Sequence, residues 1–130
     1  MRKLFKRIVA MTGAIIMMAS VASMGVGAES VVFDNVGGFR TTCSASQTSI
    51  NRIRISTSVS GDASVNVAGT ATYSYNGKTY TTGNGYGGFR GTSATITKDG
   101  GSWRTLNTTH GVNSDSAKVS SSTWKDLGVI

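Results

Sequence analysis

"VNVAGTATYSYNGKTY", residues 65–80, decides the fold. Up to the turn, its odd positions are Val65, Val67, Gly69, Ala71, Tyr73 and Tyr75; its even positions are Asn66, Ala68, Thr70, Thr72 and Ser74. A period of two sends the two sets to opposite faces of a strand, one apolar and one polar. Asn76-Gly77 follows, the strongest short hairpin signal, because both residues accept positive φ. A two-residue turn sets Tyr75 against Lys78 and Tyr73 against Tyr80, so Tyr73, Tyr75 and Tyr80 share one face.

Working outward, "RIRISTSV" (52–59) repeats the alternation, with Ile53, Ile55, Thr57 and Val59 on one face and Arg52, Arg54, Ser56 and Ser58 on the other, which should meet water. "SGDAS" (60–64), "TGNGYGG" (82–88), "KDGGSW" (98–103) and "HGVNSDS" (110–116) read as turns or loops. Strands are expected near 31–34, 38–46, 50–59, 65–75, 78–82, 89–97, 102–109 and 117–124. No stretch after residue 28 carries a 3.6-residue apolar period. Short strands at regular spacing predict an all-β domain, a small antiparallel β-sandwich or small barrel.

The N-terminus reads differently. "MRKLFKR" sets Arg2, Lys3, Lys6 and Arg7 ahead of the apolar run "IVAMTGAIIMMASVA", and Val26 and Ala28 stand at the −3 and −1 positions of a small-residue cleavage site. This is the grammar of a secretory signal peptide, with a weaker second site after Ala22. Residues 1–28 are therefore expected to be a leader of bacterial style, and residues 29–130 a single secreted all-β domain. The run is interrupted by Thr12, Gly13 and Ser20, short for a membrane span, and no later segment could be one.

Composition excludes several classes. The net charge of +7 is inflated by the leader, which holds four of the 13 basic residues; nine remain against six acids, a net +3. Those nine are scattered, whereas a nucleic-acid binder concentrates charge in a stripe, so no nucleic-acid partner is expected. Cys43 stands alone and cannot staple the domain. Ser, Thr, Gly and Asn supply about half of residues 29–130, yet the periodic apolar residues argue against disorder.

Catalytic signals are weak. His110 is the single histidine and sits beside Gly111 in an expected turn. Serines abound, but no nucleophile-elbow motif frames one. Asp62, Asp99 and Asp115 lie in turn contexts where Asp caps its own backbone. No zinc set exists, and no calcium loop is complete. Neither cofactor nor metal is expected.

"VGGFRTTCSA" (36–45) and "YGGFRGTSA" (86–94) repeat Gly-Gly-Phe-Arg at an offset of fifty, which also aligns Thr42 with Thr92, Arg54 with Arg104, Gly61 with Gly111 and Ser64 with Ser114. Two readings stand level: two unrelated entries into strands, or two weakly similar half-domains. Either way, Phe39 and Phe89 are expected inward and Arg40 and Arg90 outward.

The expected function is non-enzymatic binding of an extracellular partner, a cell-wall polysaccharide or another surface protein. Tyr73, Tyr75, Tyr80 and Tyr86 are the candidate platform, with Arg40 and Arg90 as candidate contacts to an anionic wall polymer. The same tyrosine face is alternatively core. A secreted antibacterial or membrane-acting protein is the rival function, and a small secreted hydrolase comes third. Export with cleavage after Ala28 predicts an intact mass that begins at Glu29; a species that keeps Met1 in the membrane fraction contradicts it.

Overall fold

The computed structural model describes residues 27–124. The chain forms eight strands: β1 (Gly27–Val36), β2 (Phe39–Ser49), β3 (Arg52–Val59), β4 (Ser64–Tyr75), β5 (Lys78–Phe89), β6 (Gly91–Thr97), β7 (Ser102–Val112) and β8 (Asp115–Val119). There is no helix among the described residues. The expected leader lies outside them, except that Gly27 and Ala28 open β1, paired to Gln47 and Ser46.

The strand order is β1-β2-β3-β6-β5-β4-β7-β8. The β5–β6 junction is a single pair, Phe89↔Gly91. The order therefore divides into two four-stranded antiparallel sheets, β1-β2-β3-β6 and β5-β4-β7-β8. Their facing sides supply one core. Cys43, Ala45, Ile53, Ile55, Ala94 and Ile96 come from the first sheet; Val67, Ala71, Tyr73, Trp103, Leu106 and Val119 come from the second, with Trp124 from the turn after β8. A smaller cluster of Val36, Ala63, Val65, Val112 and Ala117 closes one end, backed by Phe33, Phe39 and Val59.

β4 organises the second sheet. It pairs with β5 without a break from Ser64↔Phe89 to Tyr75↔Lys78, and with β7 from Val65↔Val112 to Ser74↔Ser102 around one bulge. Its burial alternates as its sequence does. Asn76 and Gly77, at φ 53° and 77°, form the expected tight turn. Gly37 and Gly38, at φ 59° and 95°, turn β1 into β2 likewise.

Several expectations are corrected. Residues 83–88 are strand rather than loop, because β5 follows β4 residue for residue to its end. β7 runs through His110 to Val112, and β8 stops at Val119. Phe89 points outward and is 61% exposed: it pairs with Ser64, on the polar face of β4, while Gly88 faces Val65. Phe39 is half-buried, as part of the smaller cluster.

The two Gly-Gly-Phe-Arg segments differ in backbone role. The first glycine pair is a hairpin turn; the second lies inside β5. They nonetheless converge on the loop at residues 60–63. The Phe39 ring lies where a Cβ on Gly61 would stand, 2.5 Å from that position. Arg90 takes positive φ at the β5–β6 corner, donates its N–H to the Ala63 carbonyl and accepts from the Val59 N–H.

Gly69 sets how closely the sheets approach. A Cβ there would stand 2.6 Å from Ile55 Cδ1 and 3.0 Å from Ile96 Cδ1, both from the opposite sheet. Overpacking of this kind costs about 1–3 kcal/mol. Gly69→Ala should fall at the lower end, because flexible side-chain tips can shift, and Gly69→Val at the upper end. Adding Ile55→Val to Gly69→Ala should recover part of the loss; additive denaturation energies in that double-mutant cycle would contradict the close-approach account.

Candidate functional site

Two arrangements hold the chemically distinctive side chains: a buried polar chain between the sheets and an exposed aromatic strip on β5.

The buried chain centres on His110, which is fully buried on β7 and not, as expected from sequence, a turn residue. Its neighbours fix the proton positions. Thr57 Oγ1, from the opposite sheet, donates to the Asn66 carbonyl at 2.9 Å. Its oxygen is then the acceptor for His110 Nδ1–H at 2.8 Å. His110 Nε2 is left to accept from the Thr108 hydroxyl at 2.8 Å. The Thr108 oxygen accepts the Trp124 indole N–H at 3.2 Å. Each donor thus has one acceptor, and the network assigns a neutral Nδ1–H imidazole. A second ring proton would take Nε2 away as the acceptor of the Thr108 hydroxyl. Burial accordingly holds the His110 pKa down at about 4, with the Ser56 carbonyl pulling it partway back. Cys43, also fully buried, has its thiol pKa pushed up by desolvation.

A buried cation, Lys98, does structural work. The Lys98 ammonium donates to Asn51 Oδ1 at 2.8 Å and to the Gly101 carbonyl at 2.7 Å, and lies 5.2 Å from the Trp103 ring centroid. Two oxygens and one π face take up its three protons and tie the β2–β3 turn to the β6–β7 turn. Desolvation lowers its pKa.

The aromatic residues begin beside this tie. Trp103 meets Tyr73 edge-on at 6.1 Å, and Tyr73 stacks on Tyr80 at 5.4 Å. The structure separates the four tyrosines by depth. Tyr73 is only 6% exposed and belongs to the core. Tyr75 and Tyr80 are 37% and 40% exposed, and Tyr86 is 70% exposed. Tyr75 packs over Gly100, where an added Cβ would stand 2.9 Å from its ring. Exposure rises along β5 because it is an edge strand whose inward positions, Tyr80, Thr82, Asn84 and Tyr86, have little of the opposite sheet over them.

Arg40 and Arg90 are both exposed. The Arg90 guanidinium is engaged, in an ion pair with Asp62 and over the Phe89 ring at 5.7 Å. Both partners of that pair are largely in solvent, so it orients the side chain more than it stabilises the fold. Among the described residues no group of three His, Cys, Asp or Glu could hold a metal ion.

Sequence reading missed His110 and Lys98. For His110 the signal was present: Leu106, Thr108, His110 and Val112 alternate as a strand should, and all four are buried. For Lys98 nothing local marks a buried position. No protein-family model matches the chain, and no curated protein or solved structure matches it significantly.

The His110 geometry fixes a pH dependence. A folded pKa near 4 lies below the ordinary 6.5. The unfolded chain therefore binds the extra proton first, and stability is full above about 6.5 and falls as pH drops toward 4. The loss should be on the order of 3 kcal/mol. Thr57→Val, which strips a partner from both His110 and the Asn66 carbonyl, should cost about 1–3 kcal/mol at neutral pH. Denaturant titrations from pH 7 to 4 check both; a flat profile contradicts the assignment.

Proposed function

We propose that the protein is a secreted, non-enzymatic β-sandwich that binds an extended polymer outside the cell, with cell-wall glycan as the first candidate. The observation that carries this reading is the exposed aromatic strip on β5. Tyr80 and Tyr86 lie on one face of a single strand. Six residues apart, they stand roughly 20 Å from each other along it. Sugar rings offer apolar faces for stacking and hydroxyl edges for hydrogen bonds, which suits tyrosine, an apolar body with a polar tip. Thr82 lies between them on the same face, and Phe89 adds an exposed ring on the other.

The non-enzymatic part is supported by where the chemistry sits. The sole histidine is neutral, fully buried and satisfied at both ring nitrogens, so it is not placed to serve as a base for a solvent-borne substrate. The sole thiol is buried as well. Secretion rests on the basic head, apolar run and small-residue site of residues 1–28.

Tyr86→Ala should weaken sedimentation of the purified protein with isolated cell walls at least several-fold. Its stability should change by less than about 0.5 kcal/mol, since the side chain is mostly in solvent. Tyr73→Ala is the contrast: truncating this core ring should cost about 3 kcal/mol or more. Unchanged wall binding by Tyr86→Ala removes the platform. Killing of related bacteria by the wild type would put the antibacterial function in place of the binding one.

A further inference from the structure

The two sheets have four edge strands, and they are treated differently: β6 is seven residues long and meets β5 at the Phe89↔Gly91 corner. β1 is interrupted by a bulge between Phe33 and Val36, with Asp34 inside it. β8 is five residues long and bears Asp115 and Lys118. These are the usual devices that stop a sheet from adding another strand. β5 has none of them over residues 79–87: no charge, no bulge against β4, and no proline anywhere in the chain.

The tight turn settles which backbone groups are free. In a two-residue hairpin the pair next to the turn, Tyr75↔Lys78, exchanges hydrogen bonds, and alternate pairs follow. The even residues of β5 therefore bond to β4, and the odd ones aim their N–H and C=O away from it. Gly85 agrees, since its N–H is taken by the Asn84 side-chain oxygen at 2.8 Å. Asn84 Nδ2 in turn donates to the Thr95 carbonyl of β6 at 3.0 Å. With the Phe89↔Gly91 pair, this covers the later part of the edge. Among the described residues, no strand pairs with the outer edge of residues 79–83.

We infer that this open segment of β5 joins to the same segment of a second copy, antiparallel, about a two-fold axis at Tyr80. Only odd residues can pair with odd ones, so this register sets Thr79 opposite Thr81 of the second copy, and Thr81 opposite Thr79. Four backbone hydrogen bonds form around a central Tyr80–Tyr80 contact. That contact continues the Tyr73–Tyr80 stack through the axis. No like charges face each other, as Lys78 falls opposite Thr82. The segment's match to itself in parity, charge and stacking is what selects a second copy as the occupant. The inference goes beyond the polymer-binding reading and stands without it.

The interface is small, so association is measured by sedimentation velocity up to about 1 mM, where weak binding registers. The wild type should dimerise. Thr81→Pro removes an N–H that β4 does not use, which an edge strand tolerates. It should weaken the dimer by roughly tenfold or more, as loss of backbone bonds at the axis implies, with the circular dichroism unchanged. Tyr80→Cys tests the register. A directly opposed non-hydrogen-bonded pair brings Cα atoms to about 4.5 Å, within disulfide range, and the native Cys43 is buried and does not compete. Oxidation should give a reducible dimer on a non-reducing gel. Thr82→Cys, which in this register faces Lys78 and not itself, should stay monomeric. A monomeric wild type, a Thr81→Pro dimer as tight as wild type, or equal cross-linking at both positions overturns the inference. If Thr81→Pro fails to fold, the cysteine pair decides.

Discussion

An imidazole buried between two sheets has two nitrogens to satisfy, and that requirement fixes how the sheets of this protein face each other. Apolar packing is not directional; Ile55 and Ile96 would lose little by sliding a fraction of an ångström over β4. The bond from His110 to Thr57 is directional, and Thr57 must also reach the Asn66 carbonyl, so this pair resists sliding more than the apolar contacts do. An unpaired buried polar group costs about 1–3 kcal/mol, a large share of the marginal stability of a domain this size. Gly69 serves the same end from the other direction, by removing the side chain that would hold the sheets apart at the distance those bonds require.

With the sheets set, β5 is left at the margin, and its composition follows. Gly83, Gly85 and Gly87 all fall on the outward face, opposite Thr70, Ala68 and Asn66. A side chain at Gly83 would meet the Gly69 carbonyl at 2.6 Å. The inward positions carry the bulk instead, and Tyr86 among them stands largely in solvent. One strand thus combines close backbone contact with β4 on one face and large exposed rings on the other.

Much of this was legible in the chain. The alternation of β3 and β4 gave both strands and their buried faces, and the Asn76-Gly77 turn gave the pairing of β4 with the start of β5. The extension of β5 was not, because three glycines in alternation look like a loop until the outward face of β4 is known. Phe89 was misplaced for the same reason: counted from the turn, its parity sends it outward, but only if the strand continues that far. Period two states which residues share a face and is silent on which strand lies at an edge. Tyr73 and Tyr80 therefore read alike in sequence, although only Tyr73 is enclosed. His110 was read as a turn residue from the Gly111 beside it, although its place in the alternation of Leu106, Thr108 and Val112 marked it as inward. Lys98 depends on a turn 47 residues away.

Trp124 belongs to the turn that follows the last strand, yet it is fully buried in the main core and ends the polar chain through Thr108. The main core is thus completed by a residue that belongs to no strand. Without that ring the Thr108 oxygen lacks its indole donor and the main core lacks its largest fully buried side chain. A domain cut after β8 would keep all eight strands but lack a fully buried core residue and one member of the polar chain.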